Sequence, residues 1–134
     1  MDMHQFLMAG EAARKAGRWA EAVAAYRRVL ELAPGEHGVV NNLAWVLATC
    51  PEEGVRDAAE AVRLMTWAAW EPSVWQFVGT LAAAYAEAGD FEAAVTWGRK
   101  SQAMAAGRDA GRWERWLKGF AEQKAVREHA EKDG

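Results

Sequence analysis

With one cysteine, three prolines, two serines and three histidines in 134 residues, the chain lacks the material for several classes of function. A single thiol, Cys50, closes no intramolecular disulfide, so the fold needs no oxidising compartment and a cytoplasmic setting is expected. His4, His37 and His129 are scattered, without a second histidine at helical spacing or a companion cysteine, so a metal ion finds no ligand set. No phosphate-cradling glycine loop or nucleophile elbow occurs, and Glu52-Glu53, an acidic pair outside the helical patterns, lacks the partners that acid–base chemistry needs. No window approaches the roughly 18 apolar residues of a membrane span, and the start has no basic leader followed by a long apolar core. The net charge of −3 and a pI near 5.6 leave no footprint for nucleic acid, since Arg27-Arg28 and Arg99-Lys100 stand singly within helical patterns. Enzyme, metal, cofactor, nucleic acid and membrane all drop out as expectations.

What remains is alanine-rich and helical, and it repeats. Ala16-Gly17 and Ala88-Gly89 are each followed by a polar residue, an aromatic (Trp19, Phe91) and a run of Glu and Ala. Before Gly17, Phe6, Ala9, Gly10 and Ala13 recur at three- and four-residue spacing; before Gly89, Val78, Leu81, Ala82 and Tyr85 do the same. Ala22-Val23 and Ala94-Val95 carry the stripe onward in a second helix. The two glycines permit the left-handed backbone that ends one helix and turns the chain back for the next. A third, altered copy lies between them, with Val40, Leu43, Ala44 and Leu47 in its first helix and Ala61, Val62, Met65 and Ala68 in its second. There the tight turn gives way to "PEEGVRD", in which Pro51 stops one helix and Asp57 is placed to cap the next.

These residues resemble the tetratricopeptide repeat family, whose unit is a helix-turn-helix of about 34 residues. Phe6, Ala9, Gly10, Ala13, Gly17, Ala22, Tyr26 and Pro34 occupy the signature positions of the first unit. Leu81, Ala82, Tyr85, Gly89 and Ala94 occupy those of the third, where Gly98 and Ser101 replace bulkier residues or alanine. The middle unit, with "NNLAWVLATCPEE", is similar to an extended-turn variant found in many bacterial repeat proteins. The resemblance implies an all-α, right-handed superhelical stack of three antiparallel helix pairs. One domain over 1–134 is expected, with repeats at about 3–36, 37–74 and 75–106 and a C-terminal capping helix at about 109–130.

Trp113, Trp116, Leu117 and Phe120 form the apolar stripe of that last helix, with Asp109 placed to cap it. An open stack leaves its final apolar face uncovered, so the stripe is expected to close the third unit and to stack over Trp97. Trp67, Trp70 and Trp75 cannot all face one core. At least one is expected to be partly exposed, covering the adjoining turn between repeats.

The resemblance also implies that the first helices of the units line a concave surface. The side of these helices opposite the core stripe presents Leu7, Glu11 and Arg14, then Asn41, Asn42 and Trp45, then Gln76, Gly79, Thr80 and Ala83. Trp45 shares a side with Asn41 and points away from Leu43 and Leu47, so it reads either as an aromatic anchor facing a wall of Gly79, Ala83 and Ala86 or as a residue that only fills the narrow superhelical groove. A branch of the family clamps the carboxylate tail of chaperone partners with basic and amide residues. Only Asn42 stands at a matching position here, while Leu7, Glu11, Gln76 and Thr80 occupy the others, which disfavours that ligand. The expected function is a non-enzymatic scaffold that binds a protein or peptide segment in the groove. The alternatives are a self-association module joining two copies through exposed tryptophans and a regulatory fragment of a larger protein.

Overall fold

Helix boundaries follow local chemistry along most of the chain. The computed structural model describes residues 1–68 and 74–128, and among these are seven helices and no strand. They are α1 (Met3–Lys15), α2 (Trp19–Leu32), α3 (His37–Thr49), α4 (Ala58–Ala68), α5 (Trp75–Glu87), α6 (Phe91–Ala105) and α7 (Ala110–Ala121). Asp2 opens α1 with a reciprocal capping box, its carboxylate accepting the Gln5 N–H at 2.8 Å while the Gln5 side chain accepts the Asp2 N–H at 2.9 Å. Asp57 and Asp90 each accept the amide three residues on, at 3.0 Å, and so open α4 and α6. Gly17 and Gly89 adopt φ of +76° and +85°, the left-handed turn expected between paired helices.

The pairs α1/α2, α3/α4 and α5/α6 stack in order: α2 packs on α3, α3 and α4 both pack on α5, and α7 closes against α6. One core cluster runs through all three pairs, with Tyr26, Val29, Leu43, Leu47, Met65 and Leu81 among its buried members. A second, built on Ala82, Ala86, Ala94 and Phe120, sits under α7. Ala9 is exposed, so the apolar stripe of α1 narrows to Phe6, Gly10 and Ala13.

The long turn of the middle unit is anchored at several points. Asp57 donates its N–H to the Leu47 carbonyl at 2.9 Å, and Arg56 reaches back to the Cys50 carbonyl at 2.8 Å and across to Glu87 at 3.0 Å. Cys50 is fully buried at the end of α3, and burial pushes its thiol pKa up. Trp67 is 50% exposed and sets its ring against the edge of His37, centroids 5.0 Å apart, over the start of α3. Trp70 lies outside the described residues.

Two expectations for the C-terminal end are corrected. Asp109 does not cap α7 with its side chain: its backbone is left-handed (φ +55°), which turns the carboxylate away from the first-turn amides, and it pairs instead with Arg112 at 3.5 Å. The helix also stops at Ala121 rather than continuing toward 130. Gln123 takes φ of +59°, Lys124 donates its N–H to the Gly119 carbonyl at 2.7 Å, and residues 124–128 run back without regular structure. Ala125 and Val126 then pack on the second core cluster, an apolar burial that a continued polar helix would forgo. Among the described residues no helix is long and apolar enough to cross a membrane.

Candidate binding groove

The side of α1, α3 and α5 opposite their core stripes bounds a cavity of about 360 Å³. Arg14 of α1, Asn41, Asn42 and Trp45 of α3, and Gln76, Gly79 and Thr80 of α5 line it, so seven of the ten residues singled out in the sequence come together there. The other three do not. Leu7 is half-buried against the first core cluster. Ala83 is fully buried, because the C-terminal half of α5 lies between neighbouring helices on more than one side.

Glu11 serves as a junction of three helices. Its carboxylate accepts the Tyr26 hydroxyl of α2 at 2.8 Å, the Asn42 amide of α3 at 2.9 Å and the Arg14 guanidinium of its own helix at 3.0 Å. Burial works against its charged form, but the hydrogen bonds from Tyr26 and Arg14, with the Arg14 charge, outweigh burial and hold the carboxyl below its usual range. Burial and the same carboxylate push the Tyr26 hydroxyl pKa upward. The cavity wall at this end is therefore a fixed hydrogen-bonded surface.

The opposite wall comes from residues not assigned to the groove on sequence grounds: Trp75, Arg112, Trp113, Trp116 and Glu128. Trp113, 1% exposed, presses its ring on Gly79, where a Cβ would lie 2.9 Å from Cη2 of the indole. The wall of small residues expected to face Trp45 thus receives Trp113 at Gly79, while Ala83 and Ala86 are closed in the core. Trp45, half-buried, stacks instead on Trp116 with centroids 5.3 Å apart and planes at 23°. Trp116 meets Trp113 edge-on at 5.3 Å and Trp113 meets Trp75 at 6.4 Å, so four indoles run in sequence from α5 through α7 to α3. The guanidinium of Arg108 sits over Trp75 at 5.7 Å and that of Arg112 over Trp116 at 5.5 Å. Trp97 carries Lys100 over its ring at 5.1 Å and does not take the α7 tryptophans expected to cover it; these turn toward the groove.

The signal for this arrangement was present in two small residues. Gly98 leaves room for Leu117, whose Cδ2 would stand 3.1 Å from an added Cβ, and the buried Ser101 hydroxyl donates to the Trp75 carbonyl at 2.5 Å. The departures of the third unit from its repeat pattern are the seats for α7 and for the start of α5. Among the described residues, Asn41 Oδ1 and Trp113 Nε1 are buried side-chain polar atoms with no hydrogen-bond partner, and both belong to residues lining this cavity.

Stacked antiparallel helix pairs, with the first helix of each pair lining one cavity, define a helical-repeat protein. Residues 6–36 match the family model of the tetratricopeptide repeat. The TPR2B domain of yeast Sti1, solved in a complex described as containing pHsp70, superimposes with a TM-score of 0.77 at 18% identity, covering 91% of this chain and 98% of that one. Among curated proteins none matches the sequence. The first unit thus carries the sequence match to the tetratricopeptide repeat, and the stack of helix pairs has the fold of a tetratricopeptide domain.

Proposed function

We propose that the chain is a non-catalytic module whose groove binds a protein or peptide segment. The observation that carries this reading is the cavity itself, where half-buried Trp45 stands beside Asn41, Asn42, Arg14 and Gln76. An aromatic set among polar groups on a rigid wall is the composition of an interface anchor. The tetratricopeptide fold is generally a protein-interaction platform, which supports the same class of partner. The pHsp70 ligand of the yeast domain is not carried over, because Leu7, Glu11, Gln76 and Thr80 supply no cationic clamp and Glu11 adds a negative charge already engaged by Arg14. Selection of peptides from a display library on the full chain tests the proposal. Selected peptides should lose about 2 kcal/mol or more of binding on Trp45→Ala, while Trp67→Ala leaves their affinity unchanged.

Self-association is the second reading, favoured by the exposure of Trp67 and Leu32. A concentration series in light scattering separates the two. Mass doubling at micromolar concentration that Trp67→Ala abolishes supports the dimer, whereas a constant monomer mass removes it.

A further inference from the structure

The groove is already occupied in part by the chain's own C-terminal segment. After the turn at Gln123, Ala125 and Val126 pack on the second core cluster, Arg127 pairs with Glu87 at the end of α5 at 2.6 Å, and Glu128 reaches the cavity. There the Glu128 N–H donates to the Thr49 carbonyl at 2.7 Å, and its carboxylate accepts the Trp45 indole N–H. Thr49 is the last residue of α3, so its carbonyl has no partner within the helix. The segment thus supplies what a bound peptide would supply: a main-chain hydrogen bond to a helix end, an anion on an indole N–H, a cation on Glu87 and small apolar side chains on the core.

Resting on the groove reading above, we infer that the ligand of this groove is an extended segment in which a basic residue precedes an acidic one, and that it binds by exchanging with residues 124–128. An incoming chain cannot reach both Trp45 and the Thr49 carbonyl while Glu128 holds them. Tethering gives the internal segment an effective concentration in the millimolar range, so the tail acts as a built-in competitor that raises the affinity a partner must have.

A synthetic peptide with the sequence of residues 122–134 is the probe, titrated into full-length protein. The double variant Arg127→Ala/Glu128→Ala, whose tail has lost its polar contacts but remains attached, should bind the peptide at least tenfold more tightly than the parent. A peptide carrying Gln at the position of Glu128 should bind that variant about tenfold more weakly. Equal binding to parent and variant, no binding to either, or indifference to the Gln substitution overturns the inference. Hydrogen exchange on the unmutated chain gives a second measure: a groove-selected peptide should speed exchange of the Glu128 amide, and an unchanged rate with peptide bound overturns the exchange model. Loss of the groove reading has a different signature, in which no selected peptide responds to Trp45→Ala. Peptides that depend on Trp45 but bind parent and double variant alike would overturn only the tail's role.

Discussion

The two ends of the stack use the same device in opposite ways. In the first unit, Gly10 makes room for Tyr26, whose Cε1 would lie 2.8 Å from an added Cβ, and both residues belong to one helix pair. At the other end, Gly79 makes room for Trp113, which belongs to a different element more than thirty residues along the chain. The first contact closes a unit on itself. The second closes the stack and, in doing so, converts the wall of a groove from small residues to tryptophan. A glycine in a repeat helix therefore does not reveal whether it serves its own unit or receives a neighbour.

The largest expected effect tests that second closure. Trp113→Ala empties a fully buried indole site between α5 and α7 and should cost about 3–5 kcal/mol, with a matching fall in melting temperature. A loss under about 1 kcal/mol would show that α7 is not seated on Gly79. Next come Gly10→Ala and Gly79→Ala, each placing a methyl within 3 Å of a buried ring that has no room to yield. Overpacking of about 1–3 kcal/mol should exceed the gain of about 0.8–1 kcal/mol in helix propensity, so both should destabilise in chemical denaturation. Gly98→Ala is the contrasting case. Its added Cβ would meet the far end of Leu117 at 3.1 Å, a flexible contact that can give, so stability should stay within about 1 kcal/mol of the parent.

The smallest effect is a pH dependence at the first end. The carboxyl of Glu11 is held below its ordinary range in the folded chain, so its contribution is fully present above the unfolded-state pKa and is lost as pH falls through the folded-state value. Glu11→Gln should lower stability at neutral pH and flatten its fall between about pH 5 and 3. An unchanged acid slope would mean that the junction with Tyr26, Arg14 and Asn42 contributes nothing to that slope.

The sequence by itself determined the features whose causes lie within a few residues. Spacing of three and four set the apolar faces of the paired helices, Gly17 and Gly89 set the tight turns, and Asp57 and Asp90 set two helix starts. That seven of the ten residues singled out line one cavity follows from the same geometry, because the side of a helix opposite its core stripe is a local property. Only the tertiary structure decided that Ala83 is sealed in the core, that Glu11 joins three helices, that Asp109 leaves its cap unmade, and that Trp113, Trp116 and Glu128 complete the groove. Those outcomes depend on which distant segment covers a surface of small residues, and that choice is made by the apolar area buried when the chain folds back. Spacing along one helix carries no record of it, since a glycine or alanine leaves the same gap whether its own partner helix or the far end of the chain comes to fill it.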